Sequence, residues 1–307
     1  MRAAATDAAD GDRMRGDQVS RPSDGGPGPQ PVPDPALNAA LDAAAGILAG
    51  AEALLVCAGA GMGVDSGLPD FRGTTGFWKA YPPYARLGLS FVELADPVHF
   101  AADPELAWGF YGHRLGLYRS TTPHAGFAIL REWGARMPGG MWVFTSNVDG
   151  QFQRAGIENV AEVHGSIHHL QCTGPCCDDV WPADDVEVEV DPETMRARPP
   201  LPSCRHCGRL ARPNILMFGD YSWVSGPSER QLRELAAWYR ELGDRPLAVV
   251  EVGAGTAVPT VRRQAESAAA GSLIRINPHE PAVRPGSGVS LPMGALAALT
   301  ALDERLR

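Results

Sequence analysis

The stretch VCAGAGMGVDSGLPDFRG, residues 56–73, joins an apolar run to closely spaced glycines and then to Leu68-Pro69-Asp70-Phe71-Arg72. The run ALLVCA (53–58) has the continuous hydrophobicity of a strand buried on both faces. A strand followed by Gly59-Ala60-Gly61 brings backbone N–H groups toward a pyrophosphate. The spacing is not that of the usual dinucleotide fingerprint: counted from Gly59 the third glycine position is Val64, and counted from Gly61 it is Ser66. The polar, proline-kinked continuation stands where an ordinary nucleotide fold begins a helix.

Runs of the same apolar kind recur as MWVFT (141–145), NILMF (214–218), PLAVVEV (246–252) and SLIRI (272–276). Amphipathic stretches lie between several of them: HAGFAILREWGARM (124–137), SERQLRELAAWYREL (228–242) and TVRRQAESAAAG (260–271). Buried strands alternating with helices predict an α/β fold, a doubly wound, Rossmann-like parallel sheet. Segments 74–120 and 166–211 break the alternation and are expected to form an inserted, smaller zinc-binding and helical module, leaving 34–73, 121–165 and 212–307 to the Rossmann-like part. Residues 1–33 are rich in Ala, Asp, Gly and Pro without apolar periodicity and are expected to be a disordered tail. Order is expected from Asp34-Pro35, a cap and first-turn proline, with Leu37, Leu41, Ala44, Ile47 and Leu48 on one helix face.

The 307 residues are 44% hydrophobic and 21% charged, enough for a sizeable core. A net charge of −9 argues against broad binding to nucleic acid or anionic membrane and for small-molecule or protein substrates. No stretch has the length and hydrophobicity of a membrane helix or signal peptide, so the expected compartment is the cytoplasm. There, Cys172, Cys176, Cys177, Cys204 and Cys207 point to a metal site, not disulfides, and Cys57 to a buried small hydrophobe.

Two cysteine knuckles have the form of a four-thiolate structural zinc site: Cys172 with Cys176 or Cys177, then Cys204-x2-Cys207. Only one of the adjacent pair can belong to the set; Cys176, after Pro175 in the turn-like TGPC, is the expected ligand. Four thiolates leave no position open for water, so the ion would stabilise the fold without entering the chemistry.

The stretch Gly59 to Gly73 resembles the signature of the sirtuin family, the NAD-dependent protein deacylases. Four further motifs follow in the family's order: TSNVDG (145–150), VHGS (163–166), RPNILMFGD (212–220) and INPHE (276–280). The resemblance spans roughly residues 36–300. It departs from the family at Ser146, where glutamine is usual, at Gly63, where serine is usual, and at VGAGTA, where either Gly253 or Gly255 takes the place of the glycine in Gly-Thr-Ser.

The resemblance implies NAD as cosubstrate and an acyl-lysine protein as partner, with release of nicotinamide and O-acyl-ADP-ribose. In that chemistry the acyl oxygen attacks C1′ of the nicotinamide ribose as nicotinamide leaves, and His164 is the general base that activates a ribose hydroxyl, a role suited to a group titrating near neutrality. Gly165 beside it is expected to leave room for a ligand. Asn147 and Asp149 match positions lining the nicotinamide and ribose pocket, and Asn277 matches a contact to the adenosine ribose. The cofactor set implied is Gly59, Ala60, Gly61, Asp65, Asp70, Phe71, Arg72, Ser146, Asn147, Asp149, His164, Gly253, Gly255 and Asn277. His168 and His169 match no catalytic position and are expected on the surface of the zinc module.

ELAWGFYGHRLGLYR (105–119) resembles the segment of desuccinylase-like sirtuins in which a Tyr and an Arg three residues apart hold an acidic acyl chain, here Tyr111 and Arg114. Positions i and i+3 share a helix face, and a phenol with a guanidinium can pair with a carboxylate. The other reading of the segment is an amphipathic helix with Trp108 and Tyr111 packed and Arg114 solvated. For the whole chain two alternatives stand beside deacylation: an NAD-cleaving hydrolase or ADP-ribosyltransferase using the same pocket, and an NAD-sensing binding protein.

Overall fold

Alternate residues of the first strand, β1 (Ala53–Ala58), face two separate cores. Leu54, Val56 and Ala58 join one core, while Leu55 and Cys57 join the other. Period-two alternation with every position apolar is what a strand covered on both faces requires. Full burial of a leucine such as Leu54 contributes about 1.5–3 kcal/mol. The computed structural model describes residues 34–70, 77–79 and 81–307. The expectations for the tail, residues 1–33, and for Phe71 and Arg72 lie outside the described residues.

Around β1 runs a six-stranded sheet whose neighbouring strands are all parallel, in the order β3-β2-β1-β7-β8-β9. Its other members are β2 (Met141–Thr145), β3 (Val160–Glu162), β7 (Leu247–Val252), β8 (Leu273–Ile276) and β9 (Gly288–Leu291). One face is covered by α1 (Pro35–Ala49), α3 (Ala125–Arg136) and α6 (Ala295–Leu306), through Leu41, Leu48, Leu130, Trp133 and Leu299. The other is covered by α4 (Gly226–Leu242) and α5 (Thr260–Ala268), through Leu235, Val261 and Ala265. Strand order reverses between β1 and β7, so the loops leaving these strands diverge and open a crevice at the carboxyl edge. This is the doubly wound fold expected from the sequence.

Glu251 interrupts the apolar character of β7 and is fully buried. Its carboxylate accepts from Arg275 Nε and Nη2 at 2.8 and 2.7 Å, which satisfies a charge that burial alone would not tolerate.

One strand differs from the expectation. The run NILMF does not extend the parallel sheet; β6 (Ala211–Ile215) pairs antiparallel with β4 (Gly165–Cys172) in a three-stranded sheet completed by β5 (Trp181–Pro182). Ile215 and Met217 pack into a third core together with α2 (Pro104–Ser120), which contributes Trp108, Phe110, Tyr111 and Leu115. Trp108 Nε1 donates to the Ala211 carbonyl at 2.9 Å and ties that helix to β6. Among the described residues no helix is long and apolar enough to cross a membrane.

Candidate active site

The loops after β1 and β7 interlock through glycines. Gly59 N–H donates to the Val252 carbonyl and Gly61 N–H to the Gly253 carbonyl, both at 3.0 Å. A Cβ on Gly61 would lie 2.6 Å from Gly253 Cα, and one on Gly59 would lie 2.7 Å from Ala254 Cα. Gly253 has φ +64°, a conformation that disfavours side chains. Gly255 has no such constraint, since the nearest atom to its Cβ would be Glu280 Oε2 at 3.9 Å. Of the two glycines left open by the sequence, Gly253 is the one locked against the nucleotide loop.

After Gly59 the chain forms a 3₁₀ helix, Ala60–Ser66, in place of an α-helix. Gly67, at φ 86°, ends it and donates its N–H to the carbonyls of Gly63 and Val64. This left-handed stop turns the chain out toward Leu68-Pro69-Asp70. Asp65 does structural duty as well, because its Oδ2 accepts from Leu296 N at 2.7 Å, placing a negative charge at the positive end of α6.

The segment after β2 is pinned to the same loop. Thr145 Oγ1 donates to the Ala58 carbonyl at 2.9 Å and accepts from Asn147 N at 3.0 Å. Asn147 Nδ2 donates to the Gly59 carbonyl at 3.0 Å. Asp149 is buried, and its Oδ1 accepts from Gln151 N at 2.9 Å. Burial pushes its carboxyl up to about 6, against the opposing pull of the Gln151 N–H and the Arg114 charge.

His164, between β3 and β4, is partly buried, and burial lowers its pKa below the ordinary imidazole value. The ring is therefore neutral at neutral pH and able to accept a proton. Gly165 has a different reason from the one expected. Its φ is +75°, and a Cβ there would fall on the Asn214 carbonyl. The glycine thus lets β4 approach β6; it does not make room for a ligand. His168 also departs from expectation. It is half-buried, and its Nε2 donates to the Asp149 carbonyl at 2.9 Å, buttressing the turn that carries Asp149. His169 is exposed, as expected.

Tyr111 and Arg114 sit on α2, and both are buried, so the solvated-arginine reading does not hold. Arg114 Nε and Nη2 donate to Tyr118 Oη at 3.0 and 2.8 Å. Its guanidinium lies 5.1 Å from the Phe110 ring centre and 5.3 Å from that of Tyr118, within cation–π range. The Tyr111 hydroxyl is buried without a hydrogen-bond partner among the described residues. Tyr118 was missed in the sequence, although its i+4 spacing from Arg114 places it on the same face.

A single cavity of about 750 Å³ brings these groups together. It is lined by Gly59, Ala60, Gly61, Asp65, Asp70, Ser146, Asn147, Asp149, His164, Gly253, Gly255 and Asn277, and also by Tyr111, Arg114 and Tyr118. The Asn277 side chain is already engaged: Nδ2 donates to the Ala254 carbonyl at 2.9 Å, and Oδ1 accepts from the N–H groups of His279 and Glu280.

Away from the cavity, the sulfurs of Cys172, Cys176, Cys204 and Cys207 all lie within 4.8 Å of one another. Two of the separations, Cys172 to Cys207 and Cys176 to Cys204, are 3.7 Å. A tetrahedral zinc ion with thiolates at ~2.3 Å sets its sulfurs about 3.8 Å apart, so the cluster fits the ion. His206 turns away to Asp179, with Nε2 2.6 Å from Oδ2. Cys177 Sγ lies 3.7 Å from Cys176 Sγ. Cys172→Ser is therefore expected to lose zinc, whereas Cys176→Ser keeps part of it through the neighbouring thiol. Zinc content by mass spectrometry after gel filtration checks this, and equal loss in both variants would contradict it.

The Sir2 family profile matches residues 59–229. NAD-dependent protein deacylase 1 of Archaeoglobus fulgidus is 33% identical over 80% of this chain and 89% of that protein. The mitochondrial NAD-dependent protein deacylase sirtuin-5 of Canis lupus familiaris is 34% identical over 57% of this chain and 58% of its own. Among solved structures, a Sir2 homologue–NAD complex superposes with a TM-score of 0.62 at 27% identity, covering 86% of this chain and 92% of that one. A mutant Sir2 homologue bound to ADP-ribose gives 0.65 at 28% identity, covering 86% and 95%.

Proposed function

The chain belongs to the Sir2 family, and from that premise we propose that it removes acyl groups from protein lysine side chains with NAD as cosubstrate, releasing nicotinamide and O-acyl-ADP-ribose. The observation that carries this reading is the shared cavity, in which the interlocked glycine loops, His164 and the Tyr111–Arg114 pair line one space. Bound NAD supplies a glycosidic bond whose cleavage releases nicotinamide. His164, neutral at working pH, takes a proton from a ribose hydroxyl on an unprotonated ring nitrogen. Asn147 and Asp149 orient the ribose and nicotinamide end, held in place by Gly59, Gln151 and His168. Cys172, Cys176, Cys204 and Cys207 would hold a zinc ion that braces the small module and, with all four positions filled by thiolates, would stay outside the chemistry.

The net charge of −9 favours a protein substrate over nucleic acid or an anionic membrane, and clustered thiols suit the reducing cytoplasm. Nicotinamide release measured with NAD alone and with NAD plus acyl-lysine peptide tests the reading. Release that requires the peptide supports deacylation; equal release without it favours the NAD-cleaving or ADP-ribosyl-transferring alternative.

We further infer a preference for acidic acyl chains. A buried guanidinium and a buried phenol without a hydrogen-bond partner, both lining the cavity, suit a terminal carboxylate. Arg114→Met is expected to lower kcat/KM for a succinyl-lysine peptide about 30-fold, with a much smaller effect on an acetyl-lysine peptide. An unchanged succinyl-to-acetyl ratio in the variant would sink the preference.

A further inference from the structure

The carbonyl oxygen of Ala254, in the turn after β7, accepts from three donors. Arg262 Nε and Nη2 lie 3.1 and 3.0 Å away, and Asn277 Nδ2 lies 2.9 Å away. The same Arg262 Nη2 donates to the Glu280 carbonyl at 2.6 Å. One guanidinium thus joins the loop after β7 to the loop after β8, both of which border the cavity. Arg262 itself is on α5, is 9% exposed and is not among the residues lining the cavity. Carboxylate oxygens of Glu251 and Glu280, each 3.8 Å away, balance its charge.

In a trans peptide the carbonyl of one residue and the N–H of the next point in opposite directions. Fixing the Ala254 carbonyl toward α5 and β8 therefore turns the Gly255 N–H the other way. Gly255 has no side chain to offer a ligand, so this N–H is its one donor, and Gly255 does line the cavity. Thr256, next in the chain, has its hydroxyl engaged with Glu280 Oε1 at 2.6 Å.

We propose that Arg262 is a positioning residue for the nucleotide, clamping the Ala254 and Glu280 carbonyls so that the Gly255 N–H faces an anionic oxygen of the bound dinucleotide. The proposal rests on the reading that this cavity takes NAD. It separates two tasks: Gly59, Gly61 and Gly253 set how closely the loops approach, while Arg262 sets which way the 254–255 peptide faces. The arginine acts from behind the wall, so its effect reaches the nucleotide and not the acyl-lysine.

Calorimetric titration of ADP-ribose into the full chain, with steady-state kinetics for both substrates, tests this. Arg262→Met is expected to raise the ADP-ribose Kd and the KM for NAD about tenfold, while the KM for acyl peptide stays within about twofold. Arg262→Lys, which keeps the charge but not the planar fork that gives the Ala254 carbonyl two donors, is expected to fall between Arg262→Met and the wild type. Should Arg262→Met fail to fold, Arg262→Gln serves in its place, because its neutral amide cannot reproduce the guanidinium clamp on both carbonyls, and the same direction is expected. A folded Arg262→Met that binds ADP-ribose as the wild type does would overturn the proposal alone, as would equal rises in both KM values. Failure of the wild type to bind ADP-ribose would overturn it together with the NAD reading.

Discussion

His164→Ala is expected to lower kcat/KM for deacylation by about 10²–10⁴-fold while leaving ADP-ribose binding nearly unchanged. Its imidazole lines the cavity, and burial holds it in the neutral form that a general base needs. Among the described residues, no other histidine lines the cavity except His279, which lies in the loop after β8 two residues from Asn277. The substitution removes the base but none of the glycine contacts that shape the nucleotide loop. The same argument fixes a pH dependence. Protonation of His164 switches activity off as pH falls, and because burial lowers its pKa, the acid limb of kcat/KM should lie below the ordinary imidazole midpoint of about 6.5. Asp149, pushed up to about 6, titrates in the same acid region, so Asp149→Asn should change the steepness of that limb. A His164→Ala enzyme retaining more than about a tenth of wild-type kcat/KM would remove the histidine from the chemistry.

Gly253→Ala is expected to cost about 2–5 kcal/mol of stability and to abolish measurable ADP-ribose binding. Two effects add. The φ of +64° is strained for any side chain, and the new Cβ would sit 2.5 Å from Gly61 Cα, against backbone that cannot rotate aside. The loop after β1 would have to retreat, breaking the Gly61 N–H to Gly253 carbonyl bond and opening the switch point between β1 and β7. Gly255→Ala is the internal control: with 3.9 Å to the nearest atom it should be nearly silent in thermal unfolding. Equal melting temperatures for the Gly253 and Gly255 variants would refute the interlock.

These contrasts also mark where sequence reading works. ALLVCA declares a strand because both its faces are buried, and that is a local property of six residues. NILMF carries the same hydrophobic signal, yet it straddles the end of β6 and the turn beyond, with Leu216 and Phe218 partly exposed. Hydrophobicity reports burial; it does not report which sheet supplies the partner. Tyr111 and Arg114 are singled out by the resemblance to the desuccinylase-like segment, and their three-residue spacing on one helix is consistent with a shared face. His168 was not, since its contact with Asp149 spans a turn and a strand crossing, and its closeness in sequence to Cys172 suggested a surface role. Gly165 was recognised as special for the wrong reason: the clash that demands glycine comes from Asn214, on a strand that the sequence assigned elsewhere. Between Cys176 and Cys177 the turn-like TGPC pointed to the cysteine that the structure places in the cluster.

The central claim is that one cavity couples cleavage of NAD to transfer of an acyl group from lysine. Mass spectrometry of a reaction containing the protein, NAD and an acyl-lysine peptide tests it most directly. The account predicts O-acyl-ADP-ribose, nicotinamide and free lysine peptide in equal amounts, with formation of O-acyl-ADP-ribose and free peptide slowed about 10²–10⁴-fold when His164 is replaced by alanine. Free ADP-ribose and nicotinamide forming at the same rate with unmodified acyl peptide still present would contradict it.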